Sequence, residues 1–297
     1  MKKRLLSVIL VFSIVFCFSI PSFASSPSIV SDYATLNQLS EIYQIPLDVL
    51  RTLSPEQLKN MEVSSGQKYY THEEYIKFIE NKDGNVIAVP GTFQQFKAEQ
   101  NMTSPYASGG ATDESSGWMK VYVVIIDDPG RTARISGTFT WLDGGTRYRM
   151  TDVIGIAFQN GTYVTGSANG FYSYKPEGVS SESITLNNFA TESSNFRIVK
   201  SEVPMRTDVN RSDEVIYMGI EIYKNVGAQA EIARAIYGHQ IMKLDLASLI
   251  NAGLDLLSAI TFNGDDFDFL PKAENIVGSF SRYYESASSE VSVPFSD

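Results

Sequence analysis

The stretch that decides the fold is WMKVYVVII, residues 118–126. It is rich in β-branched and aromatic residues and contains no glycine or proline, a composition typical of β-strands. From Val121 onward both alternating sets of side chains are apolar. A strand that is apolar on both faces is expected to be central in its sheet and covered on both sides.

Two turns and two further strands are predicted directly after it. Residues 127–130, Asp-Asp-Pro-Gly, break this strand, and proline at the second turn position with glycine at the third suits a type II turn. Residues 134–142 then alternate, which predicts an antiparallel strand with one buried apolar face and one polar face. The polar face carries Ser136, Thr138 and Thr140. A third strand is predicted over 147–158, and Asn160-Gly161 after it predicts a hairpin that returns through 162–165.

The N-terminus has the pattern of a secretory signal. The chain has 297 residues, of which 43% are hydrophobic, enough for a sizeable core in one or two domains. Residues 1–24 begin with three basic residues, continue as an apolar run and end in Ser22-Phe23-Ala24, a small-x-small cleavage site. The alternative is an uncleaved anchor, for which the apolar run is short. We therefore predict a secreted or cell-envelope-associated protein.

Cysteine content and charge exclude several functions. Cys17 is the only cysteine and lies inside the predicted signal. The mature chain would therefore have no disulfide, thiol nucleophile or cysteine-based metal site, and we predict no cofactor. Loss of Lys2, Lys3 and Arg4 takes the net charge from −10 to −13. Such a charge repels nucleic acid and anionic lipid, so neither is an expected partner of the mature protein.

The segment between the signal and the central strand divides into two parts. Residues 25–96 are predicted to form a small helical region. Within it, residues 54–57 (Ser-Pro-Glu-Gln) and 71–74 (Thr-His-Glu-Glu) each have the pattern of a capping box at a helix start. Residues 97–117 are rich in Ser, Thr, Gly and Ala, which predicts a linker and a domain boundary.

The remainder, residues 118–285, is predicted to form an antiparallel β-sandwich-like domain, making the fold class mainly β with α. Further strands are predicted over 171–175, 183–186, 196–203, 214–224 and 275–284. Residues 232–244 fit either a strand or the start of a helix. Residues 245–260 repeat apolar side chains at three- and four-residue spacing, which predicts an amphipathic helix that could cover the central strand. Residues 286–297 are predicted to be a polar tail.

Few residues carry a recognisable chemistry. The two histidines are interpreted as an exposed side chain, His72, and a hydrogen-bonded structural residue, His239. The acidic run at 263–268 predicts a solvated turn. Its alternative is a calcium site formed by three carboxylates: Asp265, Asp266 and Asp268.

Two tyrosines are the candidate ligand-binding residues. Tyr172 and Tyr174 share one face of a predicted strand, about 7 Å apart by the two-residue repeat. Exposed, they would form a flat platform on which a sugar could stack; the alternative is that they are core or interface residues.

Three segments resemble exported proteins of Gram-positive bacteria that have no assigned activity. They are residues 139–142 (Phe-Thr-Trp-Leu), 152–156 (Asp-Val-Ile-Gly-Ile) and 237–240 (Tyr-Gly-His-Gln), and the resemblance covers about 118–284. It implies an exported protein and transfers no site or reaction.

The preferred function is a non-enzymatic extracellular or cell-envelope binding module whose partner is a neutral cell-wall or other envelope glycan. One alternative is a membrane-active protein that uses the 245–260 helix or the hairpin containing the strand at 134–142, in which Ser and Thr alternate with other residues. Another is a glycan-processing enzyme with a pair of carboxylates that the sequence does not reveal.

Overall fold

The computed structural model describes residues 33–80, 86–101, 115–143, 151–193, 197–206, 211–227, 230–240, 260–262, 269–271 and 284–294. These residues are mostly antiparallel β-strand, in agreement with the predicted fold class. The helices are α1 (Tyr33–Tyr43), α2 (Leu47–Leu50), α3 (Pro55–Met61) and α4 (Phe93–Asn101). The strands are β1 (Lys68–Glu80), β2 (Val86–Gly91), β3 (Ser115–Asp127), β4 (Thr132–Trp141), β5 (Thr151–Phe158), β6 (Gly161–Tyr163), β7 (Asn169–Pro176), β8 (Glu182–Thr185), β9 (Phe189–Ser193), β10 (Arg197–Pro204), β11 (Arg211–Lys224), β12 (Ala230–Gln240), β13 (Ile260–Phe262), β14 (Phe269–Pro271) and β15 (Tyr284–Pro294).

Two sheets form the sandwich within these described residues. The larger sheet has the order β2-β1-β3-β4-β11-β7-β8, and β6 also pairs with β11. The smaller sheet has the order β15-β12-β5-β10-β9, and β13 pairs with β14 apart from both. Strands from both sheets contribute to one buried apolar cluster, so the main core lies between the sheets.

Strand β3 is central and covered on both faces, as its sequence predicts. It pairs with β1 on one side and β4 on the other. Val121, Val123 and Ile125 belong to the core between the sheets. Val124 and Ile126 belong to a second cluster on the outer face of the larger sheet.

Helices α1 to α3 cover that outer face. Their apolar side chains make up most of the second cluster, including Leu39, Tyr43, Leu50 and Met61, each 1% exposed or less. The predicted capping box at the start of α3 is present: Ser54 Oγ accepts from the Gln57 N–H, and Gln57 Oε1 accepts from the Ser54 N–H at 2.9 Å. This helical layer packs directly on the sandwich.

The same layer explains why the prediction of a solvent-facing polar side for β4 is wrong. Ser136 and Thr138 are only 2% and 1% exposed. Thr138 Oγ1 donates to the carbonyl oxygen of Tyr43 at the end of α1, at 2.8 Å. A buried hydroxyl is tolerated when it has such a partner, so polar alternation did not mean exposure here.

The capping-box prediction at residues 71–74 is also wrong, because these residues lie in strand β1. Strand β1 pairs with β3 in a continuous register from Lys68↔Asp127 to Glu80↔Ser115. This long pairing outweighs the local helix signal, since propensity is a weak preference that tertiary contacts override. The predicted helical region 25–96 therefore contains α1 to α3 and the start of α4, whereas β1 and β2 between them are part of the larger sheet.

The Asn160-Gly161 turn does not close a hairpin. Strand β5 before it belongs to the smaller sheet, whereas β6 after it pairs with β11 of the larger one. The buried carboxylate of Glu231 accepts hydrogen bonds from the N–H groups of Gln159 at 2.7 Å and Asn160 at 3.0 Å. Burial raises the pKa of Glu231, although these N–H groups oppose the rise. The turn therefore carries the chain across the sandwich.

The C-terminal predictions have mixed outcomes. The strand interpretation of 232–244 is confirmed by β12, which ends at Gln240, and the strands predicted over 171–224 are confirmed. The predicted polar tail is wrong over 286–294, because β15 pairs with β12 from Tyr284 to Pro294. Backbone pairing tolerates the Ser-rich side chains of this edge strand.

The predicted helix at 245–260 lies outside the described residues except for its last position, and so does most of the strand predicted at 275–284. The predicted linker overlaps α4 and β3 at its ends, and 102–114 lie outside the described residues.

Candidate functional site

A cleft of about 980 Å³ opens on the outer face of the larger sheet, where the helical layer ends. It is bordered by α3, by β4 and β11, and by the connection between β6 and β7, and it continues to the ends of β8 and β9. Its lining side chains are mostly uncharged and hydrogen-bonding. Those used below are Asn60, Ser136, Ser167, Asn169, Asn187 and Tyr217.

Three paired residues form the floor row of the cleft: Ser136, Gly219 and Asn169. Gly219 is opposite Ser136 of β4 on one side and opposite Asn169 of β7 on the other. Directly opposed residues of antiparallel strands project from the same face, so this row faces the cleft. The neighbouring row contains Tyr217 and Phe171, which belong to the cluster beneath the helices.

The Tyr217 hydroxyl packs over Gly219, and the Asn169 amide lies beside it. A side-chain methyl at Gly219 would lie 2.6 Å from the Tyr217 hydroxyl oxygen and 3.5 Å from the Asn169 amide oxygen. The Tyr217 hydroxyl also interacts with Ser136, and burial raises the pKa of Tyr217 to about 12. It is therefore a neutral hydroxyl at physiological pH, able both to donate and to accept a hydrogen bond.

One wall of the cleft is the connection between β6 and β7, which is fixed to β11. Ser167 Oγ accepts from the N–H of Glu221 at 2.9 Å, and Val164 N–H donates to the carbonyl of Glu221 at 2.9 Å. Asn169 Nδ2 donates to the carbonyl of Ser167 at 3.2 Å. These bonds attach the connection between β6 and β7 to β11 and orient the Asn169 amide.

The helical side of the cleft is attached to β8 and the residue before it. Gln57 Nε2 donates to Thr185 Oγ1 at 3.4 Å, and Ser181 Oγ donates to the Asp48 carboxylate at 2.8 Å. Both walls of the cleft are thus hydrogen-bonded to the larger sheet, which fixes the shape of the cleft.

Charge is sparse in the cleft. Among the described residues that line it, the charged ones are Glu56, Glu221 and Arg134. Arg134 Nη1 donates to the carbonyl of Glu62 after α3 at 2.7 Å, and its Nη2 donates to Gln67 Oε1 at 3.0 Å. The guanidinium is thereby engaged by the protein itself, so the cleft offers a ligand mainly neutral hydrogen-bonding groups.

The predicted platform of Tyr172 and Tyr174 is not at the surface. Their rings stack at 5.3 Å between centroids, but both residues are 1% exposed or less and lie in the core between the sheets. Tyr172 donates to Glu214 at 2.6 Å, and Tyr174 donates to Glu182 at 2.7 Å. The expectation that they are exposed is wrong, because this face of β7 turns toward the smaller sheet.

The other predicted site residues do not join the cleft. Asp265, Asp266 and Asp268 lie outside the described residues. His72 is exposed, as expected, and its Nε2 lies 2.9 Å from a carboxylate oxygen of Glu74.

His239 belongs to a buried polar network between the sheets. Its Nδ1 lies 3.2 Å from the carboxylate of Asp152, which also accepts a hydrogen bond from the Tyr237 hydroxyl. Trp141 Nε1 donates to that hydroxyl at 3.2 Å. Burial and the neighbouring Asp152 charge raise the pKa of Tyr237 well above its usual value. The network joins β4 of one sheet to β5 and β12 of the other, in keeping with the structural interpretation of His239.

The sequence analysis did not identify the cleft residues. Ser136, Asn169 and Gly219 lie on three different strands, and their meeting depends on a register that the sequence does not give. One signal was available: Gly219 interrupts an otherwise apolar run in β11, and a glycine inside a strand often marks a close approach.

No protein-family model and no curated protein matches this chain. Solved structures give low similarity. AvmM, which catalyses macrocyclization in alchivemycin A biosynthesis, is 12% identical over 58% of this chain and 89% of its own, with a TM-score of 0.26. A collagen-binding domain from a Staphylococcus aureus adhesin is 7% identical over 36% and 75%, with a TM-score of 0.22. The Clostridium perfringens NetB toxin in its membrane-inserted form is 7% identical over 75% and 94%, also with a TM-score of 0.22. Similarity at this level carries no argument about function.

Proposed function

We propose that this protein is an exported, non-enzymatic module that binds a neutral glycan of the cell envelope in the cleft beside α3. The observation that carries the proposal is the cleft's size and chemistry. Its volume of about 980 Å³ lies within the range of about 300–1,000 Å³ typical of small-molecule sites. Its lining supplies hydroxyl and amide groups, which suit a ligand rich in hydroxyls.

Charge favours a neutral ligand over an acidic one. The chain has a net charge of −10, and the cationic lining residue Arg134 is already bonded to Glu62 and Gln67. An acidic polymer would meet Glu56 and Glu221 without a compensating cation from the lining. The signal-like N-terminus and the resemblance to exported Gram-positive proteins support a location outside the cytoplasm.

Binding accounts for the lining with fewer assumptions than catalysis. The part of the lining that the structure describes contains no histidine, lysine or cysteine, and its two carboxylates come from separate elements, Glu56 from α3 and Glu221 from β11. The binding interpretation uses only groups that are present at the cleft.

Among the helices that the structure describes, none is long and apolar enough to cross a membrane.

Pull-down on purified Gram-positive cell wall, followed by titration with soluble neutral glycan fragments, tests the proposal. The double variant Asn60→Ala/Asn187→Ala removes two exposed amides from the cleft lining. Two lost hydrogen bonds should weaken binding by about tenfold or more. The matched control, Asn37→Ala/Gln38→Ala, removes two exposed amides from α1 outside the cleft and should bind like wild type.

Three outcomes would contradict the proposal. Wild-type protein that binds no envelope glycan would remove its basis. Equal binding by the cleft and control variants would place the site elsewhere. Turnover of the glycan that is lost in Glu221→Gln would establish an enzyme in place of a binding module.

A further inference from the structure

We infer that the neutral glycan binds through two aromatic side chains of the cleft lining, Tyr163 and Phe189, on which its pyranose rings stack. The inference rests on the proposed function and adds to it a ligand class, closed-ring sugars as opposed to open-chain polyols, and two specificity-determining residues. Both residues line the cleft and both are half-buried. Each side chain therefore combines an accessible part with a part that the protein holds in place.

Tyr163 is fixed by its strand and by its hydroxyl group. It is the last residue of β6 and pairs with Ile222 of β11, and its ring packs against the core between the sheets. Its hydroxyl oxygen accepts from the Ala168 N–H at 3.2 Å. The turn between these two residues is closed by the Ser167 N–H, which donates to the Val164 carbonyl at 3.0 Å. The hydroxyl hydrogen can still be donated to a ligand beside the ring.

Phe189 is fixed where the chain passes from the larger sheet to the smaller one. It is the first residue of β9 and pairs with Ser201 of β10, and its ring also packs against the core between the sheets. The connection before it is attached at both ends. Leu186 N–H donates to the Gly170 carbonyl at 3.0 Å, and Ser201 Oγ donates to the Asn188 carbonyl at 2.8 Å. Because both aromatic rings are already held, little side-chain freedom is lost when a ligand binds.

Exposed polar groups of the lining accompany the two rings: Thr165 on the connection between β6 and β7, Asn187 on the connection between β8 and β9, and Thr191 on β9. A pyranose ring carries C–H groups on its faces and hydroxyl groups along its edge. The C–H groups suit the electron-rich face of an aromatic ring, and the hydroxyls suit the threonine hydroxyls and the asparagine amide. An open-chain polyol has the hydroxyls but no fixed apolar face, so this combination of groups favours closed rings.

Calorimetric titration with matched closed and opened sugars tests this inference. The probes are oligomers of glucose, mannose and galactose, linked so that each ring keeps a vicinal diol. Their counterparts are the same oligomers after periodate oxidation and borohydride reduction, which open the rings and leave the chains neutral. We expect at least one closed-ring series to bind and its opened counterpart to bind about tenfold more weakly or not at all. Equal or tighter binding of the opened chains would overturn the inference.

Substitutions of the two aromatics locate the contacts. Tyr163→Leu and Phe189→Leu remove the aromatic face but keep apolar bulk for packing on the core. Each should raise the dissociation constant for the closed-ring sugar by about three- to tenfold. Tyr163→Phe keeps the ring and should lose less affinity than Tyr163→Leu. The matched controls are Tyr223→Leu and Phe93→Leu, because these side chains are 51% and 44% exposed and lie outside the cleft lining; both should bind like wild type.

Thermal melts separate loss of binding from loss of fold. If one leucine variant does not fold, the other leucine variant and the opened oligomers decide the matter. If Asn60→Ala/Asn187→Ala weakens binding whereas folded Tyr163→Leu and Phe189→Leu bind like wild type, the aromatic contacts are wrong and the proposed function stands. If no neutral glycan binds the wild-type protein, both are wrong.

Discussion

The adjacent residues Ile125 and Ile126 allow the attachment of the helical layer to be measured. Both are fully buried in β3, but they point in opposite directions. Ile125 contributes to the core between the sheets, and Ile126 contributes to the cluster formed with helices α1 to α3. Substitution of each by alanine therefore tests the two faces of one strand with the same chemical change.

The expected effect is similar on both faces. Isoleucine to alanine removes three carbon atoms, which corresponds to about 2.4 kcal/mol of transfer free energy at about 0.8 kcal/mol per group. The unfilled cavity adds to this, so each variant should lose about 2–5 kcal/mol in free energy of unfolding. If the helical layer were only loosely attached, Ile126→Ala would change the free energy of unfolding as little as a surface substitution does, within about 0.5 kcal/mol.

Urea unfolding followed by both tryptophan fluorescence and far-ultraviolet circular dichroism measures these values. Trp118 and Trp141 are buried on β3 and β4, and Trp118 also contacts Phe96 and Glu99 of α4. Their fluorescence therefore reports on the sheets and α4, whereas the dichroism also reports on α1 to α3. We expect coincident transitions and similar losses for Ile125→Ala and Ile126→Ala. A small loss for Ile126→Ala, or a separate early transition of the helices, would refute the assignment of the helical layer to the same folding unit.

Two further substitutions test acidic groups, one partly buried (Asp143) and one fully buried (Asp152). Burial raises the pKa of Asp143 from 3.8 to about 6, so the folded protein binds more protons in this range and the raised pKa lowers the free energy of unfolding as pH rises from about 4 to 6. After allowance for the partial exposure of Asp143, Asp143→Asn should make this decline in the free energy of unfolding smaller by about 1–2 kcal/mol. The measurement is the urea midpoint as a function of pH, and parallel profiles for the variant and the wild type would contradict the prediction. Asp152→Ala should destabilise by about 2–5 kcal/mol, because the Tyr237 hydroxyl and His239 lose their buried acceptor; chemical denaturation that shows a loss below 1 kcal/mol would contradict the structural role of the network.

The strands were predictable where composition and periodicity act locally. The β-branched run in β3 and the alternation in β7, β10 and β11 depend on neighbouring residues, and these strands occur where predicted. Strand β1 was missed because Thr71, Glu74 and their neighbours also satisfy a helix-capping pattern. The residues of β3 that pair with it lie 35 to 59 positions further along the chain, from Glu80↔Ser115 to Lys68↔Asp127, beyond the reach of a local pattern.

The candidate site was harder to predict, because alternation separates two faces of a strand without saying which face is covered. In β7 the alternating tyrosines suggested a surface, yet Tyr172 and Tyr174 face the smaller sheet. In β4 the alternating hydroxyls suggested solvent, yet Thr138 lies beneath α1. Coverage is decided by elements distant in sequence, and it reverses the expected role of both sets of residues.

The cleft lies where this coverage ends along the outer face of the larger sheet. Tyr217 is under the helices, and Gly219, two residues further along β11, is at the cleft floor. The side chain of Tyr217 crosses that border, and its hydroxyl packs over Gly219, where a side-chain methyl would lie only 2.6 Å from it. The same helices that upset the simple prediction for β4 thus also border the cleft, because they cover Thr138 and Tyr217 and leave Asn169 partly exposed.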